Sequence, residues 1–537
     1  MRLFGRQEKG GEGTSRVERV SSFPHAKSKQ KVTGLAIAMG AVASIGGMIF
    51  GYVSGQISGM FLMADYAARF GERQTDGSYT FSAVRQGTIV ALLCAGALLG
   101  SLGAGKLADW QGRRLAISVS AFFCCIGTVI EISSTTFWLQ FALGRLINGI
   151  GIGALSVAVP MYQSECAPDI IRGMLVASYQ LNMTFGIFLA EAINLATEGL
   201  SSSASWRIPN GISFLWALIL GASMLFLPES PRYAYRKGRD EEARTTISRL
   251  AGLDPTSREV NDIIYSLRCN LEQEKAAAEA KWHEIFTGPR MFYRTLLGVT
   301  LQAGQQLTGA NFFFYYGTTI FAATGLSNSY VTQIILGAVN LVFTFAGLYV
   351  VQKCGRRKSL MAGAAWMCMC FLVFSFVGRF ALDSENPMNT PAAGNVLIVF
   401  SCLFIAAFAT TWGPLVWGVV AELYPSKYRA QCMAISTSAN WLFNFLLSFF
   451  TRFITNAIGY LYGLVFASCC AVLVFIVFFC LIEHKDRSLE EIDAMYVLKI
   501  NPITSDKWDG SKVDEETDRS GRTDSEPSRR QKSTHEA

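Results

Sequence analysis

Residues 105–114 read Gly105-Lys-Leu-Ala-Asp109-Trp-Gln-Gly112-Arg113-Arg114 and lie between two long apolar runs. A second version, Gly347-Leu-Tyr-Val-Val-Gln-Lys-Cys-Gly355-Arg356-Arg357, puts its Gly-Arg-Arg core 243 residues further on (112 to 355). Other motifs repeat in the same order. Glu165-Cys-Ala-Pro168 with Arg172 recurs as Glu422-Leu-Tyr-Pro425 with Arg429, an offset of 257 (165 to 422). Pro228-Glu229-Ser230-Pro231-Arg232 has a degraded partner around Glu483, an offset of 254 (229 to 483). Three motif pairs in one order describe a chain built from two like halves.

The composition says what those halves are made of. Apolar residues make up 51% and charged residues 16% of 537 residues, the balance of a polytopic membrane protein. Apolar segments fall at roughly 33–59, 86–107, 115–135, 138–160, 174–196 and 207–228, then 293–324, 330–351, 358–379, 395–421, 430–454 and 459–482. Each is long enough to span a bilayer as a helix. The expected fold is all-α, with twelve transmembrane helices in two parallel six-helix repeats and a cytoplasmic helical segment between them. The divisions are an N-terminal tail (1–32), a first repeat (33–228), a linker (229–292), a second repeat (293–483) and a largely disordered C-terminal tail (484–537). Helix-forming stretches in the linker are Asp240–Leu250 and Leu271–Trp282, and Ser488–Asp493 starts a short helix in the tail. Lys and Arg cluster in the N-terminal tail, the 107–114 and 352–358 turns and the linker, which puts these and both termini in the cytoplasm.

Several function classes fall away. The net charge of +7 sits in short turns and tails, so it is not a nucleic-acid signature. The cysteines number thirteen, an odd count, and most lie in apolar segments as small packers rather than as disulfides or metal ligands. All four histidines fall outside the apolar segments, and no cofactor or metal is implied. No nucleophile–base pair or phosphate loop indicates an enzyme. Gly149-Ile-Gly151-Ile-Gly153 lies within a span, where small residues let helices approach closely.

The polar load inside the membrane falls on Gln305-Gln306-Leu-Thr-Gly309-Ala-Asn311-Phe-Phe-Phe-Tyr315-Tyr316. An uncompensated amide in hydrocarbon costs on the order of a few kcal/mol. Amides and phenols both donate and accept, which suits an uncharged polyhydroxylated ligand. Interhelical hydrogen bonding is the other reading of the same residues.

Together and in order these motifs, with Gly144-Arg145, Pro160–Pro168 and Ser488–Asp493, resemble the sugar porter branch of the major facilitator superfamily, in the style of fungal hexose transporters. The likeness covers about residues 33–493. It implies a monosaccharide substrate and sugar-contacting positions at Gln180, Gln305, Gln306, Asn311, Asn340 and Trp417, with Trp441 and Asn444 nearby. It implies that Tyr315 and Tyr316 help close the external side. Asp109, Arg113, Arg114, Glu165, Arg172, Glu422 and Arg429 correspond to an intracellular salt-bridge network that must break before the inside opens, with Arg356 and Arg357 in the second-half turn. Two positions depart from the pattern: Gln352 stands where an acid is usual, and Trp110 where an arginine is.

The first span departs in a more consequential way. Proton-coupled members carry an acid at the position of Val53, paired with the arginine matching Arg145. From Thr33 to Gly59 this chain has no Asp or Glu. Arg145 should then rest on neutral acceptors, with Tyr52 a neighbour. The reading that follows is proton-independent hexose movement across the plasma membrane. The alternatives are a transporter-like glucose sensor, and a symporter using another acid such as Glu131 or Glu191, both near the external ends of their spans.

Overall fold

The computed structural model describes residues 32–508, apart from 76, 169–170, 279–283, 289, 323–327, 384–388, 426–427, 486 and 488. The expectations for the N-terminal tail before Val32 and the C-terminal tail after Trp508 lie outside the described residues. The first repeat comprises α1 (Gly34–Met60), the short α2 (Ala64–Phe70), a hairpin of β1 (Glu72–Arg73) and β2 (Tyr79–Thr80), then α3 (Ala83–Gln111), α4 (Arg113–Ser133), α5 (Trp138–Cys166), α6 (Arg172–Thr197) and α7 (Ala204–Phe226). The linker folds as α8 (Pro231–Arg236), α9 (Asp240–Ala251), α10 (Arg258–Ala278) and α11 (Glu284–Thr287). The second repeat has α12 (Met291–Leu307), α13 (Ala310–Ala322), α14 (Ser329–Lys353), α15 (Arg356–Phe376), α16 (Pro391–Thr410), α17 (Trp412–Leu423), α18 (Arg429–Ile458) and α19 (Tyr462–Cys480), followed by α20 (Leu489–Val497).

Pairing α12 with α13 and α16 with α17 as broken helices gives twelve spans among the described residues, six in each repeat. Local chemistry sets many of the ends. Thr33 accepts from the Ala36 amide and Ser82 from that of Arg85, each capping the start of a span. One sequence expectation needs correction. The second linker helix, α10, begins at Arg258, 13 residues before Leu271 (271 − 258), because its amphipathic pattern runs through Val260 and Ile264. In the 61–82 connection, which carries no apolar run, α2 and the hairpin fold over the end of the first repeat. There Tyr66, Phe70, Phe141 and Trp206 pack edge to face.

The glycine-rich run in α5 is a packing surface. A Cβ on Gly149 or Gly153 would lie 2.2 or 2.0 Å from the carbonyls of Leu93 and Ala97 on α3. Reciprocally, one on Gly96 or Gly100 would lie 2.1 or 2.0 Å from the carbonyls of Leu146 and Ile150. Backbone meets backbone along this seam, the close approach that small residues permit in membranes.

The halves meet along α1–α13, α3–α18 and α6–α14. The hydrogen bonds that join them lie toward the end away from the arginine-rich turns. Ser58 and Thr318 hydroxyls are 2.9 Å apart, Tyr330 donates to the Gly59 carbonyl at 2.8 Å, and Asn328 donates to Glu198 at 2.9 Å. Deeper in, Cys94 touches Tyr315 and Ser448 at 4.0 and 3.6 Å. The described cross-repeat hydrogen bonds close the molecule at its neutral end. Converting Ser58→Cys together with Thr318→Cys should therefore allow oxidative cross-linking, read as a linked peptide by mass spectrometry, that traps this arrangement. No cross-link under oxidation would mean the two spans do not meet there.

Candidate functional site

Two helix breaks bring the polar residues together. α12 stops at Leu307 and α13 resumes at Ala310, with Gly309 at φ +91° between them. A Cβ there would also strike the rings of Phe466 and Phe371 at 2.7 and 2.9 Å, so only glycine fits. Gln305 and Gln306 thus occupy the last turn before the break and Asn311 the first turn after it. The second break, at Thr411, separates α16 from α17.

Gln305 spans the two. Its amide nitrogen donates to the Trp412 and Gly413 carbonyls at 2.8 and 3.0 Å, and its oxygen accepts from Asn440 at 2.9 Å. Gln306 donates to Asn440 at 2.9 Å and accepts from Asn311 at 2.6 Å. Asn311 also donates to Asn444 at 3.1 Å, and Asn440 donates to the Gln302 side chain at 2.8 Å. Six carboxamides on three helices form one chain of hydrogen bonds. Sequence reasoning found Gln305, Gln306, Asn311 and Asn444 but missed Asn440 and Gln302, whose signal was the same: an amide inside an apolar span.

The remaining expected positions stand apart from this chain. Gln180 on α6 and Trp417 on α17 are half-buried and Asn340 on α14 is buried, and among the described residues none is hydrogen-bonded into the network. Trp441 is buried against Phe50 of α1, ring centroids 5.5 Å apart, with its indole N–H unpartnered. It therefore packs across the halves in mid-span. Tyr315 and Tyr316 are buried on the closed side, and Tyr316 donates to the Ser448 carbonyl at 2.6 Å.

The arginine-rich turns form two matching sets of contacts. Glu229 accepts from the Arg113 and Arg114 amides at 2.9 and 3.3 Å; Glu483 accepts from those of Arg356 and Arg357 at 2.7 and 3.2 Å. Each carboxylate sits on a helix N-terminus, where four backbone donors lack partners and the dipole favours negative charge. It does so over the motif glycine, since a Cβ on Gly112 or Gly355 would come within 2.4 or 2.3 Å of it. The first arginines pair with the repeated glutamates, Arg113 with Glu165 at 2.9 Å and Arg356 with Glu422 at 3.3 Å. The second arginines reach carbonyls, Arg114 that of Leu227 and Arg357 that of Phe478. Arg172 donates to the Ala167 carbonyl and Arg429 to that of Tyr424. Asp109 bridges Arg113 and Arg236 at 3.3 and 2.6 Å.

The contacts described lie within each repeat or tie the first repeat to the linker. Trp110 is exposed, its carbonyl accepting from Tyr233; the side chain of Gln352 lies outside the described residues. Sequence reasoning placed a short helix after the last span, where α20 lies, but not the contacts that this segment makes. His484 lies between Glu422 and Tyr496 at 3.3 and 3.4 Å, and Arg294 pairs with Asp493 at 2.6 Å. Lys358 pairs with Asp506 at 2.7 Å and holds that carboxyl below the usual range.

Arg145 is fully buried, and one of its terminal nitrogens donates to the Val53 carbonyl at 3.0 Å, a neutral acceptor. Tyr52 is not its partner: that hydroxyl donates to the Pro209 carbonyl at 3.0 Å. Glu131 and Glu191 are both buried, bonded to Asn148 at 3.3 Å and Gln333 at 3.2 Å.

Twelve spans in two pseudo-symmetric halves, with buried amides at the breaks in two of them, are the build of a helical membrane transporter. The family described as "Sugar (and other) transporter" matches residues 39–496, and the chain belongs to it. It is 42% identical over 470 residues to the low-affinity glucose transporter HXT1 of Saccharomyces cerevisiae, covering 87% of this chain and 82% of the relative. It is 41% identical over 486 residues to the high-affinity glucose transporter ght2 of Schizosaccharomyces pombe, covering 89% and 91%. In fold it is similar to the inward-open xylose transporter XylE of E. coli, with TM-score 0.71 and 23% identity over 86% of this chain and 99% of that one.

Asn440→Ala would leave Gln302 and Gln305 without their shared donor. Thermal stability of purified protein should fall by roughly 0.6–1.5 kcal/mol, the range for interhelical hydrogen bonds. Unchanged stability would show that the amides re-pair without Asn440.

Proposed function

We propose that this protein carries hexoses, glucose among them, across the plasma membrane by alternating access and without proton coupling. The observation that carries the reading is the amide chain at the two helix breaks. It offers neutral donors and acceptors suited to vicinal hydroxyls and no fixed charge that would select an ion. The printed names of the relatives agree with this substrate class. Gln305, Gln306, Asn311 and Asn444 are the proposed sugar contacts, with Gln180, Asn340, Trp417 and the spare indole N–H of Trp441 joining them as the halves close. The sugar would exchange its hydroxyls for amide–amide bonds, which keeps the site satisfied whether empty or occupied.

Lys and Arg placement supports a cytoplasmic basic end with both termini on that side. The arrangement described is then inward-facing, with Tyr315 and Tyr316 under the external seal. The linker and the described part of the tail serve as cytoplasmic units beside the two repeats. The paired arginine contacts keep each half rigid as the halves rock.

Uptake in a host lacking its own hexose transporters tests the substrate: robust flux supports transport, whereas sugar-dependent gene induction without flux favours a sensor. For coupling, an uncoupler should leave initial uptake unchanged, and a non-metabolised analogue should never exceed its external concentration. Accumulation that collapses with the uncoupler would replace uniport by symport through a buried acid.

A further inference from the structure

Arg145 on α5 and Glu131 on α4 are each 0% exposed, deep in the first repeat. Neither forms a direct ion pair among the described residues. Arg145 has one bond, to the Val53 carbonyl, and its Nε and second terminal nitrogen are unpartnered. Glu131 accepts from Asn148, and its other carboxylate oxygen is unpartnered. A lone buried guanidinium is strongly unfavourable, and so is a lone buried carboxylate.

Their placement answers both problems at once. Asn148, which holds Glu131, lies one helical turn beyond Arg145, so the carboxylate sits against the same stretch of α5. Gly144 makes room for it: a Cβ there would come within 2.7 Å of the Glu131 Cγ. The Asn148 amide also donates to Thr128, which fixes the carboxylate between the two helices. The other titratable groups in range are Tyr66 from α2, whose hydroxyl is buried and unpartnered, Cys124 from α4, Cys94 from α3 and Tyr315 from α13. These are neutral thiols and phenols, and among the described residues no second carboxyl, lysine, arginine or histidine is given in contact with the pair.

We propose that Glu131 is the counter-charge of Arg145, acting through the low-dielectric interior from the third span. In that medium attraction between opposite charges persists beyond contact distance. Glu131 is thereby a positioning residue: it keeps the guanidinium charged and seated on the Val53 carbonyl, which ties α5 to α1. The proposal rests on the transport reading for only one of its two readouts.

The test uses the full-length protein with Glu131→Gln, Glu131→Asp, and Glu131→Gln combined with Val53→Asp, which returns a carboxylate where Arg145 already makes its bond. Uptake per surface transporter and thermal stability of purified protein are both measured. Glu131→Gln should lower uptake at least roughly tenfold and lower the melting temperature, as expected when one member of a buried pair loses its charge. Glu131→Asp should retain most of both, and Val53→Asp should restore both. Wild-type behaviour of Glu131→Gln overturns the proposal. So does a loss that Val53→Asp fails to restore, because shape rather than charge would then be at stake. A Glu131→Gln protein that keeps downhill uptake and loses only accumulation makes Glu131 a proton carrier instead. If the wild type moves no hexose, the stability series alone decides.

Discussion

A backbone group without a partner in hydrocarbon costs several kcal/mol, and two helices here are broken in mid-membrane. That constraint explains the amide chain better than any single contact does. The break at Thr411 turns the Trp412 and Gly413 carbonyls toward α12, and Gln305 answers both. Asn440 then satisfies the oxygen that Gln305 leaves over, and so binds α18 to the same point. The reading of these residues as glue and the reading of them as a site are therefore not exclusive. The bonds that hold the breaks are those a neutral hydroxylated molecule could exchange.

The pseudo-symmetry extends to single hydrogen bonds. Glu229 and Glu483 play one part in the two repeats, although the motif around Glu483 has largely lost its sequence likeness. What survives is the pair required by geometry, a carboxylate over a helix N-terminus and a glycine that leaves it room. Arg172 and Arg429 each reach the carbonyl five residues back, again in step.

Much of this was legible in the sequence because it depends on residue type and spacing. Apolar length located the twelve spans, and the repeated Gly-Arg-Arg and Glu…Arg motifs divided them. The run of amides marked the seventh span. What could not be read were partners far apart in the chain. Nothing local says that Asn440 meets Gln302, 138 residues away, or that His484 meets Glu422. Tyr52 beside Arg145 was a reasonable guess from adjacency, but helix rotation turned that hydroxyl toward Pro209. The fold of residues 61–82 was invisible for another reason: its aromatic residues pack against Phe141 and Trp206, which come from other spans.

The seam between α3 and α18 carries a mechanical consequence. Its described hydrogen bonds end at Cys94, and from there α3 runs on to Gln111, an arm of about 25 Å at the usual rise per residue. A rigid rotation of about 15°, the size of subunit rotations in allosteric proteins, would sweep the tip of that arm through roughly 6–7 Å. In such a rotation the molecule would work as a lever with its fulcrum near the neutral end. Small repacking around Tyr315 and Ser448 is magnified at the Asp109–Arg114 turn, while the glycine seam between α3 and α5 keeps the arm from bending.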